Sequence, residues 1–337
     1  MAKDTSKKSK DNKKKSGKGG KTKQETELRV IAEDLARRDA KAKAKAKAAR
    51  EEEAAAAPPA PADFVAALKV HDGFRLADRD PAGTPAFAGD KEAGEAALAA
   101  LTGQVAELQE RLYAESKAGG TRSVLLVVQG MDTSGKGGIM RHVVGAADPQ
   151  GVDITAFKAP TAQERAHPFL WRIRNALPKP GFIGVFDRSH YEDVLIVRVH
   201  DLVPRAQWAR RYGQINAFER KAAESGTTIV KVMLHISNAE QKARLAARLD
   251  DPAKHWKFNP GDVDERGHWD EYMEAYQVAL EKCSTDVAPW YVVPADRKWY
   301  ARLAVMNLLL AALQGLDPQW PAADFDVEEQ KARLAES

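Results

Sequence analysis

Between residues 123 and 313, short apolar runs alternate with stretches in which apolar residues return every three or four positions. The short runs cover 123–129, 152–157, 182–187, 228–236 and 290–294. Helical periodicity fills 136–144, 164–177, 205–224, 239–249, 269–282 and 298–313. Strand and helix taken in turn fold as a parallel sheet with crossover helices, so the pattern predicts a three-layer α/β/α domain with five parallel strands. No internal repeat interrupts the series.

Upstream, "GDKEAGEAALAALTGQVAELQERLYAES" predicts a long helix, because Leu98, Leu101, Val105, Leu108 and Leu112 form one stripe. Asp90 suits its N-cap, although Ala93 stands where a capping box would place Glu or Gln, and the helix should end near Gly119-Gly120. Residues 250–268, "DDPAKHWKFNPGDVDERGH", show much charge and no periodicity. A long irregular segment inside such a domain reads as a lid.

The chain start differs in kind. Residues 1–24 have almost no apolar side chains, so burial cannot offset the entropy of ordering them, and a disordered basic tail is expected. Residues 25–57 are rich in Ala, Lys, Arg and Glu and predict a solvated helix, ended by Pro58, Pro59 and Pro61. The expected layout is tail and helix over 1–62, the α/β domain over 63–320, and a C-terminal tail over 321–337.

Composition sharpens this. Of 337 residues, 44% are hydrophobic and 30% charged, ordinary values for a globular chain with a sizeable core. The net charge of +4 hides a split: ten lysines against two aspartates make residues 1–24 strongly basic and leave the remainder net acidic. A basic site must therefore be gathered locally. The dense lysines of the tail suit a polyanion, or serve only as a solubilising extension.

The single Cys283 cannot form an internal disulfide, and the polar start lacks the apolar stretch of a secretory signal, so a cytoplasmic protein is expected. The longest apolar run, 303–313, is shorter than the roughly 20 residues of a spanning helix. No membrane association is expected. Eight scattered histidines and one cysteine give a zinc site little support.

Candidate chemistry begins at "QGMDTSGKGG", which joins the first strand to the next helix. Gly130, Gly135 and Lys136 fit the phosphate-loop spacing G-x-x-x-x-G-K-[ST], but Gly137, followed by Gly138, stands where a Mg²⁺-binding hydroxyl belongs. Backbone N–H groups there face an anion, and Lys136 adds a point charge. A carboxylate such as Asp132 at about 4 Å from a phosphate charge costs roughly 4 kcal/mol at an effective dielectric near 20. Something positive must lie between them. Mg²⁺ bound to one or two carboxylates, phosphate oxygens and water resolves the conflict, with Asp132 replacing the missing hydroxyl; capping of the helix is the plain alternative. The second carboxylate, Asp187, ends the strand of "FIGVFDRSHYED" at the Walker-B position. Arg188 follows it at the carboxyl edge of the sheet, where open α/β folds bind ligands.

Together, "GMDTSGKGG", "FKAPT", "FDRSHYEDV" and the segment from "HWDEYMEAY" to "DRKWYARL" resemble the polyphosphate kinase 2 family over about 78–313. That resemblance implies a P-loop kinase fold like that of thymidylate kinases, with a helical lid. It further implies Mg²⁺-dependent phosphoryl transfer between inorganic polyphosphate and nucleotides, and a multimeric protein. The form "SHYEDVLIVRVH" is closest to the subgroup that takes both AMP and ADP and so makes ATP. By the same resemblance, Asp132 and Asp187 hold the metal, and Lys136 and Arg188 neutralise the moving phosphoryl group. Lys158 and Arg198 line the polyphosphate path, Arg248, Lys254 and Lys257 close over phosphates from the lid, and Glu192 and Asp193 fall on the nucleotide side. The competing readings are an ATP-dependent nucleotide kinase of similar fold and a nucleic-acid-binding protein with a vestigial loop. Tyr272 and Tyr276, four residues apart, read as helix packing rather than base stacking. Cys283 reads as a small buried hydrophobe.

Overall fold

Residues 59–337 are described by the structure, a computed structural model. The lysine-rich tail 1–24 and the expected helix 25–57 lie outside the described residues. In chain order the described elements are α1 (Pro61–Leu68), α2 (Lys91–Lys117), β1 (Ser123–Gly130), α3 (Lys136–His142), β2 (Val152–Ala156), β3 (Ile183–Asp187) and α4 (Arg205–Glu224). They continue with β4 (Thr227–His235), α5 (Asn238–Leu249), α6 (Trp269–Cys283), β5 (Trp290–Pro294), α7 (Lys298–Leu316) and α8 (Val327–Ala335). Shorter helical turns occupy the connections.

All five strands pair in parallel, in the order β2-β3-β1-β4-β5. The central β1 and β4 are covered on both faces, which is why they read as unbroken apolar runs. Register aligns their carboxyl ends: Val128 lies opposite Asp187, and Gly130 opposite Leu234. The ends of β1, β3 and β4 therefore share one edge, the place where such sheets bind ligands. Edge strand β2 is largely exposed.

On one face, α2 and α7 pack together and against the sheet. Asp90 caps α2 as expected, accepting a hydrogen bond from the Ala93 N–H at 2.9 Å. Among the described helices, α7 is the one long and apolar enough to cross a membrane, but Leu303 to Leu310 are all buried in the core beside β1 and β4. The other face is closed by α4 and α6, where Tyr272, Tyr276 and Cys283 are buried with Tyr212 and Trp290.

Two predicted stretches differ in detail. The helix expected over 164–177 is two short ones, Ala162–Arg165 and Trp171–Asn175. Pro168 between them lacks an N–H and collides with the preceding turn, so no single helix can run through. The segment 250–268 is not structureless: it winds through the turns Pro252–Lys257, Gly261–Asp264 and Glu265–His268. Such one-turn pieces are too short to show a hydrophobic period. Helix α1, with Pro61 in its first turn, also escaped the pattern, as did α8.

Candidate active site

Strand β1 delivers the chain to Gly130, where φ is 153° and a side chain would begin 2.7 Å from Ser134 Oγ and 2.8 Å from the Leu234 carbonyl oxygen. No larger residue fits that turn without displacing backbone. Gly135 caps α3 in the left-handed conformation, φ 112°, which glycine adopts without steric cost. The loop curls so that the Lys136 Nζ donates to the carbonyls of Gly130 and Met131, at 2.9 and 3.2 Å. Burial, then the charge of Arg188, lowers the Lys136 pKa against the pull of Asp132, Asp187 and Glu192.

A buried cation holds the loop from behind. Arg244 on α5 donates from Nη1 to the Thr133 carbonyl at 2.9 Å and from Nη2 to the carbonyls of Ala295 and Asp296 at 2.7 and 2.9 Å. Its Nε donates to Glu240 at 2.8 Å. Gln241, one turn earlier, donates to the Asp132 carbonyl at 3.2 Å and accepts from Arg266 at 2.6 Å. The loop is thereby tied to α5, to the end of β5 and to the segment before α6. None of these residues was anticipated from the sequence, where "EQKARLAARL" reads as an amphipathic helix with an ordinary charged face.

From β3 come Asp187 and Arg188. Asp187 Oδ1 is buried and has no hydrogen-bond donor in the protein. Arg188 has φ 62°, unusual for a residue with a side chain, and this turns it toward the loop. Its Nη2 donates to Asp132 Oδ1 at 2.5 Å, and its Nη1 lies 3.5 Å from Glu192 Oε2. Gln129 Nε2 donates to the other Glu192 oxygen at 3.1 Å. Burial works against the charge on Arg188, but Glu192 and Asp132 outweigh it and hold its pKa above the ordinary value. The positive neighbour that Asp132 demands is thus Arg188. From the segment 250–268, Asp262 faces the same group: burial, then the charge of Asp132, pushes its carboxyl up, while Arg248, Arg188 and Lys136 oppose.

The residues present fit a hard divalent cation. Asp187 offers a buried carboxylate oxygen with no hydrogen-bond partner in the protein, and nothing lies within 4 Å of the Gly137 side-chain position in the loop. Among the described residues no three His, Cys, Asp or Glu side chains gather as a cage. Mg²⁺ asks for only one or two carboxylates and completes its shell with phosphate oxygens and water. Asp132 and Asp187 are the residues that would hold it.

Asp132, Lys136, Asp187, Arg188 and Glu192 are brought together; the other sequence-derived candidates are spread around them. Asp193 turns away and is held by Arg211 at 2.8 Å in a buried pair. Lys158 is exposed just past β2 and lines a cleft of about 370 Å³ with Trp171 and Arg172. Arg198 pairs with Glu274 and lies 5.1 Å over the Trp208 ring. Arg248 donates to the Lys257 carbonyl at 2.9 Å and faces Asp262 at 3.5 Å. Lys254 pairs with Asp251 at 2.7 Å, and Lys257 lies 4.8 Å over Trp256.

Beneath the Arg188 turn is a fully enclosed polar group. Lys231, on β4, donates to Glu219 Oε2 at 2.6 Å, to the Tyr191 hydroxyl at 2.9 Å and to the Cys283 carbonyl at 2.6 Å. The Tyr191 hydroxyl donates to Glu219 at 2.8 Å, and His190 Nε2 lies 3.1 Å from the same oxygen. Burial opposes the charge on Glu219, but Lys231 and His190 hold its carboxyl below the ordinary range. The group anchors residues 190 and 191, immediately after Arg188 and Ser189.

A glycine-rich loop, a strand-end carboxylate and an arginine share one edge of a 2-3-1-4-5 parallel sheet, the arrangement of an α/β protein whose loop and charges suit phosphoryl transfer. Residues 88–321 match the description of the polyphosphate kinase 2 family. The chain belongs to that family. It is 48% identical over 256 residues to the AMP/ADP-polyphosphate phosphotransferase of Meiothermus ruber, covering 76% of this chain and 94% of that one. It is 43% identical over 230 residues to the ADP-polyphosphate phosphotransferase of Rhodopseudomonas palustris, covering 65% and 78%. The crystal structure of polyphosphate kinase 2 from Arthrobacter aurescens TC1 superposes with a TM-score of 0.80 at 58% identity, covering 83% of this chain and 98% of that one.

Proposed function

We propose that this protein transfers phosphoryl groups between inorganic polyphosphate and nucleotides with Mg²⁺, making ATP from ADP and ADP from AMP. The observation that carries the reading is Arg188, set between Asp132 and Glu192 beside the phosphate loop. Phosphoryl transfer asks a protein mainly to position reactants and to balance charge as it moves between oxygens. Lys136 leaves its two carbonyl partners for phosphate oxygens, while Arg244 keeps the loop in shape. Arg188, hydrogen-bonding through a planar fork, spreads over the group in transit as Asp132 and Glu192 release it. Mg²⁺ bound at Asp132 and Asp187 would neutralise phosphate charge between them. Lys158, Arg198, Arg248, Lys254 and Lys257 contribute the wider cationic surroundings of the polyphosphate chain.

The test is incubation with Mg²⁺ and polyphosphate as sole donor, with AMP, ADP, GMP and GDP as separate acceptors, followed by quantification of products. Formation of ATP from ADP, and of ADP from AMP, is the expected result. Phosphorylation only when ATP is supplied would favour the nucleotide-kinase reading instead.

A further inference from the structure

The phosphate loop changes direction at Thr133, whose φ of 63° puts a β-branched residue in the left-handed region and whose buried Oγ1 has no hydrogen-bond partner among the described residues. Such a turn persists only where its neighbours enforce it. Both enforcing side chains come from α5: Arg244 donates to the Thr133 carbonyl at 2.9 Å and Gln241 to the Asp132 carbonyl at 3.2 Å. They differ in what holds them. Arg244 is fixed by Glu240 on its own helix and by the carbonyls of Ala295 and Asp296 after β5. Gln241 is 1% exposed, and the other end of its amide meets Arg266, in the segment 250–268, at 2.6 Å.

Arg266 is anchored at several points. Its Nη1 also donates to the Asn238 carbonyl at 3.0 Å, and its Nη2 to Asn238 Oδ1 at 2.6 Å. Beside it, Glu265 accepts from the Tyr272 hydroxyl at 2.7 Å and lies 3.0 Å from His200 Nε2. This end of the segment is thereby held from both α5 and α6. The consequence falls on Gln241, because an amide has one end that donates and one that accepts. With its oxygen drawn to the guanidinium, its N–H faces the Asp132 carbonyl. Turned over, it would set an N–H against a guanidinium and an oxygen against a carbonyl, so Arg266 decides which end the loop receives.

We propose that Gln241 is a positioning residue for the reaction: held by Arg266, it fixes the backbone at Asp132 and so the aim of that carboxylate at Arg188, without touching substrate. The inference rests on the phosphoryl transfer proposed above, in which Asp132 and Arg188 act together. Releasing the Asp132 carbonyl frees the peptide next to a strained residue, and the carboxylate turns with it. The fixed end of segment 250–268 therefore belongs to the geometry of the loop.

The experiment measures kcat, KM for ADP and for long-chain polyphosphate, and the thermal midpoint in the full chain and in Gln241→Glu and Gln241→Met. Neither variant keeps the N–H that Asp132 receives, and only Gln241→Glu keeps an oxygen for Arg266. Gln241→Glu should therefore melt near the wild type and Gln241→Met lower. In both, kcat should fall about 10- to 100-fold while either KM changes less than about two-fold. A loss of kcat that follows stability, present in Gln241→Met and absent in Gln241→Glu, overturns the proposal and leaves Gln241 a purely structural part. Unchanged kcat in both, or a change confined to KM, overturns it as well. If Gln241→Glu does not fold, kcat of Gln241→Met read well below its midpoint decides, and failure of both to fold overturns the proposal in favour of a structural role. A wild-type chain that transfers nothing from polyphosphate overturns the proposed function and the inference with it.

Discussion

At φ 62°, Arg188 holds a backbone conformation that costs a residue with a side chain about 1 to 3 kcal/mol, and such strain persists only where the surroundings enforce it. Here Asp132, Glu192 and the anchored residues that follow supply the enforcement. Arg188→Ala should lower kcat by about 10³ to 10⁵, the range found for arginines that stabilise transferring phosphoryl groups. Near-normal turnover would remove Arg188 from the chemistry. Asp187→Asn should abolish most turnover with the folded circular-dichroism spectrum intact, because it removes charge from a polar site rather than volume from the core. Gly130→Ala should instead unfold at a lower denaturant midpoint, since the new Cβ would meet the Leu234 backbone oxygen at 2.8 Å. The candidate residues gathered around Arg188 were legible because their types recur at fixed spacing next to a strand. Arg244 was not: its partners Thr133, Ala295 and Asp296 are more than 50 positions away, and only the closed sheet brings them to it.

Among the elements, β4 and α4 meet the Arg188 turn through the Lys231–Glu219 pair. Removing one partner, as in Lys231→Met, leaves an uncompensated buried charge and should cost about 3–5 kcal/mol of stability. The double variant Lys231→Met, Glu219→Leu removes both charges, and such replacements are often neutral or better. It should therefore be more stable than the single variant, though short of the wild type because the Tyr191 hydroxyl, His190 and the Cys283 carbonyl lose their partners, and it should lose kcat because residues 190 and 191 no longer fix the Arg188 turn. If kcat survived, the pair would serve the core alone. The pair also sets an acid limit. Glu219 has a depressed carboxyl pKa, so its contribution is complete above the ordinary Glu range and is lost as pH falls through the folded value. Denaturation followed below about pH 4.5 should show this loss in the wild type and not in the double variant. Strands and long helices were readable from period alone. The broken helix at Pro168, the turns of 250–268 and α1 were not, since each is too short to repeat.

For the whole molecule, the basic residues 1–24 pose the clearest open test: their deletion should weaken apparent affinity for long polyphosphate and leave that for ADP unchanged, if they tether the donor. Equal affinities before and after would dispose of the tether. The sequence pattern gave the α/β class and the strand count, because burial on both faces leaves a strong apolar signature. It could not order the strands, which depends on contacts between residues far apart in the chain. One feature of the loop bears on what the protein ignores. With two of its three ammonium N–H groups already on carbonyls, Lys136 offers orthophosphate one free donor and otherwise a swap of partners. A single small anion gains little from that exchange, while a condensed chain that engages several groups at once gains multiplicatively. On this geometry, abundant monomeric anions should be poor inhibitors even at concentrations far above that of the donor, which inhibition assays with orthophosphate would check.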